Sequence, residues 1–514
     1  MALGCASRLN GFFATLFRNP PDSHGPRPMA TAAPAAARTP LAWRVGILAG
    51  IALVGTAAYL ARDAIGPRGQ AGCGVVCFIG LVAAFSANLR AVNVQTLGCG
   101  IALQLLLAVL VIHHEPTRAV IETVGNGVKK LLDYSKEGGK FVFGPLADPA
   151  GPPVDPYGAL GGGPAAVTAG ERLPGRPFVF AFVALPPIIF VSAFFSLLYY
   201  FGVLQFFVRL MARVMMFLMR TSGAETLSVA ANVFMGQTEA PLIVKPFVPR
   251  MTRSELLALM ASGMAHISGG MMAVYISYGA DPVAILTTCV MACPCSLYLS
   301  KLLLPETGTP ETLGTAKIEV ETAHVNPIDA VAAGTTTGLK LALNVAAMLI
   351  AFLALIALVN SLLGAVKPLL LAAGLQADAL SWWPDDLSLQ HLLGWVFRPV
   401  AFLMGVDPAE TGKVGSLLGI KLVLNEHVAF VTMTKTPEYA DLSLRSKLLA
   451  VYALTGFANF ASVGIQLGGI GALAENRRSD LAKLGMRALF VGFVATLVNA
   501  SIAGMLMDGN PVRQ

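Results

Sequence analysis

Charged residues are scarce in this chain of 514 residues. Only 13% of them are Asp, Glu, Lys or Arg, whereas a typical soluble domain has about 25%. Together with a hydrophobic content of 55% and a mean hydropathy of +0.68, this shortfall excludes an ordinary soluble globular fold. Much of the surface must therefore contact something other than water.

Three other features are missing. No stripe of Lys and Arg with interleaved aromatics occurs, so the net charge of +7 does not indicate nucleic-acid binding. The alternating segments of an outer-membrane β-barrel do not occur either. The seven cysteines lie mostly in apolar blocks, and Cys293-Pro-Cys295 has no nearby His or Cys cluster to complete a four-ligand metal set. We therefore predict no nucleic-acid partner and no prosthetic group.

The sequence has long apolar blocks instead. Because roughly 20 helical residues cross the hydrocarbon core of a bilayer, these blocks predict an all-α polytopic membrane protein. Residues 115–146 mix charge with apolar periodicity, which is typical of an interfacial helix. Trp382, Trp383 and Trp395 suit a similar interfacial position. The nine candidate spans are 41–61, 73–89, 97–113, 178–201, 255–278, 281–304, 339–363, 446–467 and 483–507.

The basic residues near the N-terminus predict the orientation. Residues 1–40 are rich in Ala, Pro and Arg and predict a disordered basic tail, whose true start is either Met1 or Met29. The arginines before and at the start of the first span place the N-terminus in the cytoplasm. An odd number of spans then places the C-terminus outside. These arginines are Arg8, Arg18, Arg27, Arg38 and Arg44.

Two segments, 223–247 and 408–433, have polar centres between apolar runs too short to cross a membrane. Each predicts a re-entrant helical hairpin, which is tolerated only where it lines a protein or water cavity. Paired interrupted segments in two halves of a chain point to a midplane substrate site between inverted repeats. We therefore predict such a site here.

The domain organisation follows from these segments. We predict a tail at 1–40, an extra N-terminal span at 41–61, scaffold spans with an interfacial helix at 73–201, a Gly/Pro-rich loop at 147–177, a first transport repeat at 202–304, a polar loop and scaffold span at 305–363, and a second transport repeat at 364–507.

Each hairpin carries one carboxylate beside an amide. Glu239 follows Gln237 and Thr238, and Glu426 follows Asn425. An acid at the bilayer centre costs roughly 2.5–3.5 kcal/mol on insertion scales, so it normally faces a cavity or a partner. Two readings remain open for the acids, namely substrate binding and a structural ion pair. The candidate ion-pair partners are Lys245 and Lys421.

The span after each hairpin is also interrupted. In the first half, Gly269 and Gly270 follow His266 and weaken the helix, which frees carbonyls for a cation or allows tight helix packing. In the second half, Asn459 and Ser462 are three residues apart and therefore share a helix face. They serve either a substrate or interhelical hydrogen bonding.

Amides, hydroxyls and two acids suit a neutral, hydroxyl-rich, heteroaromatic solute, because carboxylates accept hydrogen bonds from hydroxyl and ring N–H groups. An anionic solute would need Arg or Lys at these positions. No nucleophile–base pair indicates a membrane enzyme, and no ring of charges or carbonyls indicates a channel. The residues alone therefore predict a carrier of a neutral polar solute.

Four stretches resemble the concentrative nucleoside transporter family. They are ANVFMGQTEAPLIVKPF at 231–247, NPIDAVAAG and the following GLKLALNVAAMLIAF within 326–352, LLGIKLVLNEHVAF at 417–430, and TGFANFASVGIQLGGIGALAENRRSDLAKLGMRAL at 455–489. The resemblance runs from about residue 73 to the C-terminus. It implies eight core spans, two hairpins, a homotrimer in the bacterial inner membrane, and import of nucleosides by symport with a cation.

The resemblance also implies the roles of individual residues. The nucleobase is implied to contact Gln237, Thr238, Glu239 and Met271. The ribose is implied to contact Glu426, Asn459 and Ser462, with Phe457 beside them. The cation site, for sodium, is implied to comprise Asn232, Met235, His266 and Ile267.

Three positions depart from the family pattern. His266 stands where a small hydroxyl residue is usual, and histidine titrates near neutral pH whereas sodium prefers oxygen ligands. We expect sodium coupling, with proton coupling as the alternative. Met271 replaces a smaller aliphatic residue and leaves open the choice between purine and pyrimidine nucleosides, or another neutral solute. His427 replaces an aromatic residue.

Overall fold

The computed structural model describes residues 38–144, 180–183, 185–313, 325–374 and 387–507. The predicted tail up to residue 37, the predicted loop at 147–177, and Trp382 and Trp383 lie outside the described residues. In the described ranges the only β-structure is an isolated bridge between Ser222 and Leu313. The prediction of an all-helical protein is confirmed.

The described α-helices are α1 (Leu41–Leu60), α2 (Arg62–Ala84), α3 (Val94–Ile112), α4 (Glu115–Phe143), α5 (Phe180–Val183), α6 (Leu185–Tyr200), α7 (Val203–Met219), α8 (Gly223–Ala231), α9 (Ala240–Ile243), α10 (Arg253–Ala265), α11 (Gly269–Ser277), α12 (Pro282–Leu303), α13 (Pro327–Ala372), α14 (Leu389–Leu403), α15 (Thr411–Val423), α16 (Glu426–Lys435), α17 (Leu444–Leu454), α18 (Phe460–Leu473) and α19 (Arg478–Leu506).

Among these, seven helical segments are long and apolar enough to span a membrane, and eight if the bent pair α6–α7 counts as one span. The prediction of a multi-span protein is confirmed, but three predicted spans have different shapes. The span at 178–201 continues past a 72° bend into α7. The span at 339–363 lies within the 46-residue α13. The span at 446–467 consists of α17 and α18, each shorter than a membrane span.

The two halves of the chain repeat one order of elements. In the first half, the hairpin helices α8 and α9 precede a helix broken between α10 and α11. In the second half, α15 and α16 precede a helix broken between α17 and α18. A long helix, α12 or α19, follows each broken helix. This order agrees with the predicted hairpins and interrupted spans.

Side-chain caps fix where two helices of the first repeat begin. Ser222 and Thr252 form capping boxes with Glu225 and Glu255 at the starts of α8 and α10, and each box satisfies two backbone N–H groups. Lys301, near the end of α12, lies 2.7 Å from Glu225. This buried ion pair holds the first hairpin against α12.

Burial divides the helices into two groups. The most apolar 18-residue window of the Arg253–Ser277 segment lies wholly inside the protein, whereas only 6% of the corresponding window is buried in α1 and in the 353–372 part of α13. The first broken helix, α10–α11, therefore occupies the interior, and α1 and α13 lie at the periphery. Several polar groups of the hairpins, among them Asn232, Gln237 and Glu426, are buried as well.

Candidate functional site

The first hairpin presents its polar residues at a non-helical tip between α8 and α9. Within this tip the Gly236 N–H donates to Glu239 Oε2 at 3.0 Å. Glu239 is half-buried, and Lys245, one of its two suggested ion-pair partners, is exposed. The Glu239 carboxylate therefore contacts the backbone of its own tip.

The second hairpin turns at Leu424 and Asn425 and places Glu426 at the first position of α16. Asn425 Oδ1 caps this helix by accepting the Val428 N–H at 2.8 Å. The Glu426 side chain is buried, and its carboxylate accepts hydrogen bonds from Tyr275 Oη and Asn459 Nδ2, both at 2.9 Å. The helix N-terminus favours this negative charge.

A chain of hydrogen bonds joins the two hairpins through α18. Gln237 Nε2 donates to Ser462 Oγ at 3.2 Å, and the Ser462 N–H donates to Asn459 Oδ1 at 2.9 Å. Gln466 Nε2 donates to Gln237 Oε1 at 3.2 Å. Since Asn459 also donates to Glu426, amides, a hydroxyl and a carboxylate from both halves form one polar array.

The remaining predicted substrate residues lie around this array. Thr238 packs so closely on Gly469 of α18 that a Cβ at position 469 would lie 2.6 Å from Thr238 Cγ2. Met271 is buried near the start of α11. Phe457 is half-buried, and its N–H donates to the His266 carbonyl at 3.1 Å. The described hydrogen bonds do not link Met271 to Gln237.

The two breaks touch each other at the centre of the bundle. Gly456 has φ +153° and approaches the end of α10, so that a Cβ there would lie 3.0 Å from the Ala265 carbonyl oxygen. A side chain would therefore be strained and crowded at this position. This close approach, with the bond from Phe457 to His266, joins the interrupted segment of one repeat to that of the other.

Asn232, at the end of α8, is the predicted cation-binding side chain with an open acceptor. Its Nδ2 donates to the Ser228 carbonyl at 3.1 Å and to Ser262 Oγ at 3.0 Å. Its Oδ1 is buried and has no hydrogen-bond partner, and the same holds for Ser228 Oγ. Because buried polar atoms are normally satisfied, these oxygens suit a bound cation.

The His266 imidazole contacts residues of α10 and α12. Nδ1 lies 2.8 Å from the Ser262 carbonyl, and Nε2 lies 3.3 Å from Cys293 Sγ on α12. Ile267 is fully buried beside it. Met235 lines a small apolar cavity with Tyr199. The His266 backbone carbonyl, which accepts the Phe457 N–H, lies at the break between α10 and α11.

Sequence reasoning missed two residues of the array, Tyr275 and Gln466. Each follows a predicted site residue by four positions, Met271 and Ser462 respectively, and therefore lies on the same helix face. This four-residue spacing is the sequence signal that identifies Tyr275 and Gln466. The sequence suggests Lys421 as an ion-pair partner of a hairpin acid, whereas in the structure its Nζ donates to the Ala453 carbonyl.

Known families match along most of the chain. The model for the N-terminus of Na⁺-dependent nucleoside transporters matches residues 73–146. A nucleoside recognition (Gate) model matches residues 181–282, and the C-terminal model of the Na⁺-dependent nucleoside transporters matches residues 284–504.

Two relatives show the extent of the similarity. The chain is 36% identical to an uncharacterized transporter of Haemophilus influenzae, over 84% of this chain and 96% of that protein. It is 37% identical to sodium/nucleoside cotransporter 1 of Mus musculus, over 84% of this chain and 63% of that longer protein. The prediction that the protein is not an enzyme agrees with these matches to transporters.

The fold matches a solved structure of the same kind. CNTnw in an inward-facing substrate-bound state superposes with a TM-score of 0.72 at 34% identity, covering 85% of this chain and 97% of CNTnw. The chain therefore belongs to the Na⁺-dependent, concentrative nucleoside transporter family.

Proposed function

We propose that this protein imports nucleosides by symport with sodium, using the polar array between its two hairpins as the substrate site. The observation that carries the proposal is the buried Glu426 carboxylate, held by Tyr275 and Asn459 and connected through Ser462 to Gln237. The array offers amide and hydroxyl groups at one end and a carboxylate at the other. The end at Gln237 suits a nucleobase, and the carboxylate end at Glu426 suits a ribose.

Each end has a defined role in this proposal. Glu426 accepts hydrogen bonds from ribose hydroxyls, because an ionised carboxylate is purely an acceptor, and Asn459 and Ser462 complete the ribose side. Gln237 both donates and accepts, as the edge of a nucleobase requires. Thr238, Glu239 and Met271 complete the base side, and Phe457 packs beside the sugar.

Sodium is the proposed coupling ion because an unsatisfied oxygen lies at the first break. Asn232 Oδ1 is buried and has no donor, and hard cations prefer oxygen ligands. Backbone carbonyls of Met235, His266 and Ile267 are the proposed further ligands. The His266 imidazole already contacts Ser262 and Cys293, which favours sodium over a proton carried by this ring.

The proposed assembly is a homotrimer in a bacterial inner membrane with the N-terminus in the cytoplasm. The bacterial relatives support the membrane assignment. The apolar surface of α13, only 6% buried in its 353–372 window, supports a contact with lipid or with neighbouring subunits. Native mass spectrometry of the purified protein tests this assignment, and a monomer in lipid nanodiscs would contradict it.

Uptake of radiolabelled uridine into proteoliposomes tests the function. We expect a sodium gradient, with no proton gradient, to drive concentrative uptake. Asn232→Ala should abolish the sodium dependence, whereas Asn476→Ala, a matched change at an exposed position, should preserve it. Uptake driven only by protons would contradict sodium coupling, and no uptake under either gradient would contradict uridine transport.

A further inference from the structure

The first helix of each broken pair ends inside the protein. Helix α10 ends at Ala265 and α17 ends at Leu454, each followed by a short non-helical stretch. The last four carbonyls of a helix have no intrahelical partner, and the C-terminal end carries a partial negative charge of about half an elementary charge. A helix that ends in such a setting therefore favours a nearby cation.

In the second repeat this position is occupied by the side chain of Lys421, from the first helix of the hairpin. Lys421 is fully buried. Its Nζ donates to the Ala453 carbonyl in the last turn of α17 at 2.7 Å and to Thr496 Oγ1 of α19 at 2.9 Å. It also lies 5.5 Å from the centre of the Phe493 ring. Groups from two other helices, α17 and α19, thus surround one amino group.

The groups around the Lys421 amino group are all acceptors. The Thr496 hydroxyl donates to the Phe493 carbonyl at 2.8 Å, so its oxygen accepts from Lys421. The Ala453 carbonyl and the ring face are also acceptors. Both hydrogen bonds run from Nζ to an acceptor, no described hydrogen bond runs to it, and a ring face attracts a cation, so these surroundings suit an ammonium ion. Among the described residues no carboxylate forms an ion pair with it, because Glu426 is engaged by Tyr275 and Asn459.

The first repeat has a shorter, neutral side chain in the comparable place. Asn232 belongs to the first hairpin helix and contacts Ser262, in the last turn of α10, at 3.0 Å. Unlike the lysine, it leaves an acceptor, Oδ1, buried and unsatisfied. The first repeat therefore needs a cation from outside, whereas the second repeat supplies its own.

We propose that Lys421 is a tethered cation that takes, in the second repeat, the place at the broken helix that the transported cation takes in the first. This comparison rests on the proposed function for its first half, the sodium ion near Asn232. Lys421 is then a positioning residue. By fixing the end of α17 it sets the following segment, 455–459, and thereby Asn459 beside Glu426.

This role predicts that the ribose side is assembled without an exchangeable ion. Removing the ammonium group should therefore weaken nucleoside binding and leave sodium binding in the first repeat intact. A residue that merely filled space in the core would affect both. The two affinities thus separate positioning from general packing.

The test compares Lys421→Met with the control Lys413→Met. Lys413 lies on the same helix, and its side chain pairs with Asp441 at the surface. Uridine affinity is titrated at saturating sodium on the purified protein, and the melting temperature is measured with sodium alone. We expect Lys421→Met to weaken uridine binding at least about tenfold, as loss of charged hydrogen bonds does, and Lys413→Met to change it less than about twofold. Both variants should keep the sodium-induced rise in melting temperature.

Uridine affinity of Lys421→Met within about twofold of wild type would overturn the proposal, and so would loss of the sodium response together with uridine binding. If Lys421→Met does not fold, the uridine affinity of Thr496→Val tests the proposal instead. This substitution removes one acceptor and should weaken uridine binding roughly threefold, while unchanged affinity would overturn the proposal. If the wild type itself shows no sodium response, sodium is not the coupling ion. The difference in uridine affinity between the two lysine variants still tests whether Lys421 acts as a tethered cation.

Discussion

The two hairpin carboxylates occupy comparable places in the chain but have different surroundings. Glu426 is buried and accepts from two side chains on two other helices, Tyr275 and Asn459. Glu239 is half-buried and accepts from a backbone N–H three residues away in its own tip. The second carboxylate is therefore fixed in position before a substrate arrives, and preorganisation of this kind lowers the cost of binding. The first is held by local contacts alone.

The largest effect should come from Glu426→Gln. An amide –NH₂ would face Tyr275 or Asn459, which are both donors, and the charge would be lost. We expect kcat/KM for uridine uptake in proteoliposomes to fall at least about 100-fold. The control is Glu438→Gln, an exposed acid after the same hairpin. A loss of less than about threefold would remove Glu426 from the substrate site.

A smaller effect should follow Glu239→Gln. The amide oxygen can still accept the Gly236 N–H, so the tip keeps its shape and only the charge is lost. We expect a roughly tenfold fall in kcat/KM, measured in the same vesicles. If this variant is more damaging than Glu426→Gln, the comparison is reversed and the first hairpin dominates binding.

Tyr275→Phe sharpens the comparison because it removes one of the two side-chain donors to Glu426. The ring would still stack on Phe430, whose centroid lies 4.2 Å away, so packing is retained. We expect KM for uridine to rise about threefold to tenfold with little change in the maximal rate. An unchanged KM would mean that Asn459 alone orients the carboxylate.

The smallest effect should come from His266→Ala on the cation side of the first repeat. Because the imidazole contacts Ser262 and Cys293, its removal should leave the backbone carbonyl in the break. We expect the sodium concentration for half-maximal uptake to change less than about threefold. Loss of all coupling, with uptake no longer responding to any ion gradient, would show that the ring itself carries the coupling proton.

The sequence predicted the hairpins and breaks because their polar centres interrupt apolar runs. It missed α7, since Arg209 and Arg213 lower the hydropathy of that segment. It predicted only the apolar centre of α13, because Asp329 and Lys367 lie near the ends of the helix.

Within the site, the predicted polar residues are those with unusual polarity for their depth, whereas Met235, Ile267, Met271 and Phe457 were predicted from the family resemblance alone. Tyr275 has no unusual polarity for a membrane segment, whereas Gln466 is polar in an apolar segment and was still missed. Their i+4 spacing from Met271 and Ser462 connects both to the site. The acceptors of Lys421 come from α17 and α19, more than thirty residues away. Spacing along one helix does not predict which residue of another helix faces it, so these contacts required the structure.

The most direct test of the account is the uridine affinity of the purified protein, titrated calorimetrically in sodium and in choline at equal ionic strength. The account predicts that sodium tightens binding at least about fivefold, as coupled sites do, and that Asn232→Ala removes this difference while Glu426→Gln abolishes uridine binding itself. Equal uridine affinity in sodium and choline for the wild-type protein would contradict the central claim that a cation at the first break and a nucleoside between the hairpins bind together.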